Sequence, residues 1–116
     1  MRKDSRYIRN MIEFGERALE TFAKVNDNVE KLEENYDLYN SVLMSLVQLG
    51  ENVNLVGEEI KEKYQGINWN KHRRNRNRNF YVHVYGAVNI RRLGEYLHKD
   101  VPELVENLKM IERKVR

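Results

Sequence analysis

Five cations, Lys71, Arg73, Arg74, Arg76 and Arg78, fall within the nine residues 71–79, and His83 and Tyr85 follow closely. An arginine grips a phosphate with a planar, permanently charged fork. Histidine is the one side chain that titrates naturally near neutral pH and can move a proton there. A cationic stretch leading to one histidine is therefore a toolkit for phosphodiester chemistry. The chain carries +3 in all and residues 71–79 alone carry +5, so the remainder sums to −2. The basicity is one local patch, which points to a phosphate-bearing partner rather than to general stickiness. The patch is interleaved with asparagine and holds no acidic residue, which favours a phosphate site over an ordinary solvated face.

Other chemistries find little support. Cysteine is absent, which removes disulfides and thiolate metal sites and fits a reducing cytoplasm. His72 reads as part of the basic face. His98 reads as a cation at a helix end. Neither stands at metal-binding distance in sequence from His83, so no metal site is expected. With 41% apolar and 34% charged residues over 116 positions, the composition is that of a single globular domain, residues 1–116, with a narrow core. No apolar run has the length of a membrane span, and Met1-Arg2-Lys3-Asp4 does not open like a signal peptide, so no membrane partner is expected.

The elements that must position the basic run are helical. Ile8, Met11, Ile12, Gly15, Leu19 and Phe22 repeat at intervals of three and four and predict one buried stripe. Asn26-Asp27-Asn28 reads as a turn in which Asp27 or Asn28 caps the next helix. That helix is expected to be long: Leu32, Tyr36, Tyr39, Leu43, Leu46, Gly50 and Val53 form a heptad seam that continues less regularly to Ile60. Gly50 on the seam marks either a close crossing or a bend. Gln65-Gly66-Ile67-Asn68 breaks the pattern, and Trp69 is expected to anchor this loop on the bundle. A third helix is expected to begin near Asn70 and to carry the basic run, with Gly86 placed to kink or interrupt it. A fourth holds Val88, Leu93, Tyr96 and Leu97 and ends at His98-Lys99-Asp100. Asp100 and Pro102 then open a last helix with Leu104, Leu108 and Ile111 inward.

Arg78-Asn79-Phe80-Tyr81-Val82-His83-Val84-Tyr85 fits the pattern R-N-x3-H-x-Y and resembles the signature of the HepT-like toxins of the HEPN superfamily. Leu49-Gly50-Glu51 is similar to the family's G-E step in the second helix, and Ile67-Asn68-Trp69 to its I-P-W loop. Tyr85-Gly86-Ala87-Val88-Asn89 and Val101-Pro102-Glu103-Leu104 resemble the stretches that follow. Three positions depart from the pattern: Asn68 replaces the usual proline, Val84 replaces a common aspartate, and the interval from Trp69 to His83 is longer. The resemblance implies an all-α, up-and-down, four-helix-type bundle with an additional short helix, pairing as a homodimer. It implies a ribonuclease toxin that uses neither metal nor cofactor on RNA (tRNA or mRNA). The implied partner is a minimal nucleotidyltransferase antitoxin, which silences the toxin by moving AMP from ATP onto the motif tyrosine, here Tyr85.

The chemistry is coherent on its own terms. RNA cleavage without metal needs a base for the 2′-hydroxyl, an acid for the leaving 5′-oxygen and positive charge on the pentacoordinate phosphate. His83 as base or acid with Arg78 as electrostatic stabiliser is the minimum catalytic set. A dimer that joins two motifs at its two-fold axis supplies the second histidine. Residues 78 and 83 lie roughly 140° apart on an ideal helix, whereas Arg76 is nearly aligned with His83 and Asn79 sits beside it. Either Arg76 or Arg78 is thus the working arginine by geometry, while the motif favours Arg78. Lys71, Arg73, Arg74 and Arg76 are expected to attract the RNA backbone, with Asn79 and Arg76 supporting the site. The competing reading is a non-catalytic HEPN-type binding subunit of a nucleotidyltransferase complex.

Overall fold

The computed structural model describes residues 2–73 and 87–115. Helix α1 spans Arg2–Ala23. Its buried stripe is Ile8, Met11, Ile12, Ala18 and Phe22, with Gly15 also buried. Leu19, expected within that stripe, sits on its shoulder and is only partly buried, while Ala18 takes the inward position. The helix ends in a Schellman closure. Asp27 N–H reaches back to the Phe22 carbonyl at 3.1 Å and Asn26 N–H to that of Ala23 at 3.0 Å. Asn26 and Asp27 adopt φ of 57° and 55°, a left-handed geometry that Asn and Asp tolerate better than other side chains.

The expected long second helix is three helices. Asn28 caps α2 (Val29–Glu34), its side chain accepting the Lys31 amide. Asn35 then closes α2 and opens α3 (Tyr36–Leu55): its backbone is extended (φ −102°, ψ 99°) and its side chain accepts the Leu38 amide at 3.1 Å. An asparagine that offers the backbone an acceptor competes with helix continuation, and here it wins. The break rotates Tyr36 out of the expected seam to 75% exposure, and Tyr39, Val42, Leu43, Leu46, Leu49 and Val53 form the buried face instead. A second break follows at Val56-Gly57, where the Gly57 amide donates to the Asp4 carboxylate at 2.9 Å. Helix α4 (Glu58–Lys63) carries the buried Ile60.

Ile67 and Trp69 pin the next loop to the core, and the Trp69 indole N–H donates to the Tyr64 carbonyl at 3.2 Å, as the anchoring role requires. The helix expected to begin near Asn70 begins as a 3₁₀ turn, Trp69–His72, and Arg73 already has extended backbone (φ −65°, ψ 154°). Whether the Arg-Asn run and Gly86 continue in a helix lies outside the described residues.

Helix α5 (Ala87–Glu95) does not end at His98-Lys99-Asp100 as its sequence predicts. It passes through a π-helical turn, Tyr96–Asp100, into α6 (Val101–Val115), with Glu95 and Val101 both right-handed helical. Pro102 supplies the reason. Its ring would crowd the carbonyl of His98 in a regular α-helix, and it has no N–H to donate. The wider turn, in which Val101 N–H bonds the Tyr96 carbonyl five residues back, accommodates it without stopping the rod.

These elements make an all-α bundle. Asp4 meets Gly57 and Asn10 meets Asn52, while Arg9 pairs with Glu112 and Glu16 with Lys109, so α1 runs antiparallel to both α3 and α6. The buried apolar side chains form one cluster between these rods, including the expected Leu104, Leu108 and Ile111.

Candidate nucleic-acid interface

The positions on which the expected chemistry falls divide sharply. Arg74, Arg76, Arg78, Asn79, His83 and Tyr85 lie outside the described residues. Lys71 and Arg73, at the start of the basic run, are described, and so are the residues they contact.

Lys71 is not a free phosphate ligand. Its ammonium pairs with the Asp100 carboxylate at 3.0 Å, joining the 3₁₀ turn to the last residue of the π-helical turn. The run therefore has an acidic partner after all, one that lies 29 residues away in sequence. Arg73 is exposed and its guanidinium donates to the Asn70 side chain at 3.3 Å, which leaves its charge in contact with solvent.

His72 does not belong to the basic face. It is 4% exposed, and its Nδ1 lies 2.6 Å from the hydroxyl of the buried Tyr96. With the imidazole proton on Nε2, the Tyr96 hydroxyl donates to Nδ1. Burial lowers the His72 pKa from 6.5 to about 4; the Asp100 charge opposes that shift and the Lys71 charge adds to it. At neutral pH the imidazole is thus uncharged. A sequence signal for this existed: in a 3₁₀ turn residues three apart eclipse, so His72 must follow Trp69 into the core. Recognising it requires knowing that the turn is 3₁₀. His98 also departs from expectation, because no helix ends there: it lies exposed in the π-helical turn, edge-on to Phe22 with centroids 5.1 Å apart.

A cavity of about 1210 Å³ forms an open cleft between α2 and the α5–π-turn rod, bordered by Lys71. Gly94 forms part of its lining, where the two walls pack closely: a Cβ there would stand 3.1 Å from Val29 Cγ1. Glu30 and Glu33 line one side, and Arg91, Glu95, Lys99 and Asp100 the other. Carboxylates on both walls make it a poor trap for polyanions. Among the described residues no cluster of His, Asp or Glu is arranged to hold a metal ion, and no helix is long and apolar enough to cross a membrane.

The fold and this basic turn define an all-α bundle that presents the start of a cationic segment from a buried, hydrogen-bonded platform. The family model described as "Ribonuclease HepT-like" matches residues 6–111, nearly the whole chain. The chain belongs to this HepT-like ribonuclease family. No curated protein and no solved structure matched it.

Proposed function

We propose that this protein is a metal-independent endoribonuclease and the toxin of a toxin–antitoxin pair. The observation that carries the reading is the family match over residues 6–111, which encloses the complete R-x4-H-x-Y set Arg78, His83 and Tyr85. In this reading His83 moves the proton of the 2′-hydroxyl or of the leaving 5′-oxygen. Arg78, or Arg76 if the longer run shifts the register, stabilises the charge that builds on the phosphate. Arg73 and Arg74 attract the RNA backbone, and Asn79 orients the site. Two copies of the chain pair so that two motifs share one cleft. The products are a 2′,3′-cyclic phosphate and a 5′-hydroxyl. A minimal nucleotidyltransferase transfers AMP to Tyr85, which puts a phosphodiester beside the arginines and occupies the position of the substrate phosphate.

The deciding experiment incubates purified protein, free of any antitoxin, with tRNA and with mRNA in EDTA, beside a His83→Ala control. Cleavage by the wild-type chain alone is the expected result. Cleavage by neither chain would sink the enzyme and leave the binding-subunit reading. Intact mass after co-expression with a minimal nucleotidyltransferase should show added AMP, lost in Tyr85→Phe.

A further inference from the structure

Two contacts tie the start of the basic run to one short piece of the bundle. Lys71 Nζ meets Asp100 Oδ1 at 3.0 Å, and His72 Nδ1 meets the Tyr96 hydroxyl at 2.6 Å. Tyr96 and Asp100 are the first and last residues of the π-helical turn. Consecutive residues of the 3₁₀ turn are thus gripped by the two ends of a single turn of another element. The two contacts differ in kind. The ion pair is half-open to solvent on the lysine side, whereas the histidine–tyrosine contact is buried. Immediately beyond them Arg73 adopts extended backbone and is exposed.

We infer that Tyr96 and Asp100 are positioning residues for the proposed ribonuclease reaction: through His72 and Lys71 they hold the start of the basic run, Lys71 to Arg73, in one register on the bundle. The inference rests on the ribonuclease reading, since the register of the run's start matters only if the arginines must meet a phosphate. The physical case is one of leverage. Stabilisation of a transition state by a guanidinium depends on where the charge is held, and displacements of about 1 Å cost on the order of a hundredfold in rate. An exposed loop with one surface ion pair would not hold that register, because such pairs contribute little. A buried hydrogen bond between two aromatic side chains, each already fixed by packing, does so. The uncharged state of His72 fits this role: a neutral ring is buried without a counter-charge and keeps Nδ1 free to accept from Tyr96. The π-helical turn belongs to the same device. A regular helix would place Tyr96 and Asp100 differently relative to α6, and Pro102 is what holds the wider turn in place.

The test uses the full chain and four variants: Tyr96→Phe, Asp100→Asn, His72→Asn and His72→Leu. Tyr96→Phe removes one hydroxyl, and His72→Asn keeps a polar atom close to the position of Nδ1. His72→Leu fills the site without any hydrogen bond. Cleavage kinetics on RNA, thermal midpoints and amide exchange at Lys71 and Arg73 are measured together. Tyr96→Phe and His72→Leu are expected to lose roughly tenfold or more in kcat with KM nearly unchanged. Exchange at the two amides should rise by about tenfold while the midpoint holds or, for His72→Leu, rises. His72→Asn should recover most of kcat, and Asp100→Asn should show a smaller loss of the same type. Unchanged exchange and unchanged kcat in Tyr96→Phe would overturn the inference, as would kcat losses that merely follow the unfolded fraction. A wild-type chain that cuts no RNA overturns the ribonuclease reading itself, a result the wild-type arm reports separately from the variants.

Discussion

A Cβ built on Gly15 would lie 2.7 Å from Cγ2 of Val105, closer than packed carbon atoms approach. Here α1 and α6 pack closely, and Leu49 of α3 borders the same spot. The glycine therefore sets the spacing of α1 against the rod that carries the π-helical turn, which in turn holds Lys71 and His72 at the start of the basic run. Val105 is β-branched and stiff, so it does not swing aside. Gly15→Ala should gain about 1 kcal/mol of helix propensity and lose about 1–3 kcal/mol to overpacking, for a net loss near 1 kcal/mol. Urea unfolding of Gly15→Ala, Val105→Ala and the double variant checks this. The double variant should be more stable than the two single losses add up to, because the methyl fills the space the valine vacates.

The burial of His72 makes stability depend on pH. The unfolded chain takes up a proton below pH 6.5, whereas the folded chain refuses it until about pH 4. Stability conferred at neutral pH is therefore lost as pH falls through that window, by about 3 kcal/mol at full extent. Equilibrium unfolding at pH 7 and pH 4.5 should show a steeper decline for the wild type than for His72→Asn, which has nothing to protonate. Parallel curves would mean that the imidazole takes up its proton in the folded chain without cost.

Asn35 serves two helices, so its loss should exceed that of an ordinary surface residue. Asn35→Ala removes the acceptor for the Leu38 amide and is expected to cost about 1 kcal/mol. Asn35→Asp keeps the acceptor and should restore most of it. Denaturation midpoints of the three proteins, at unchanged m-value, decide the matter.

Salt dependence separates the two described cations. Binding of single-stranded RNA should weaken linearly in log–log form with added salt, with a slope that falls by about 0.7 for each phosphate contact removed. Arg73→Ala should reduce the slope by about that amount. Lys71→Ala should leave it nearly unchanged, since that charge is already paired with Asp100. Fluorescence anisotropy across a salt series measures both, and equal reductions would place Lys71 on the RNA.

Much of the fold and the family were legible in the chain itself. Helical periodicity needs only the spacing of apolar residues, so the buried face of α1, the inward set of α6 and the all-α class could be read directly. The motif at Arg78, His83 and Tyr85 is likewise a matter of residue types at fixed intervals, and the family match over residues 6–111 encloses it. Interruptions were harder to read. Asn35 sits at a position the heptad rhythm assigns to no side in particular, and whether its side chain joins the helix or caps it depends on a competition of a few tenths of a kilocalorie. Pro102 does announce a disturbance, but a stop and a π-helical turn answer the same clash, and only packing of α5 and α6 on one core selects the turn. The platform under the basic run belongs wholly to tertiary structure. His72 and Tyr96 are 24 residues apart, and Lys71 and Asp100 are 29 apart. No local pattern relates them. A histidine amid arginines looks solvated in one dimension; it becomes a buried, neutral hydrogen-bond partner only when a 3₁₀ turn eclipses it with Trp69 and the bundle removes its water.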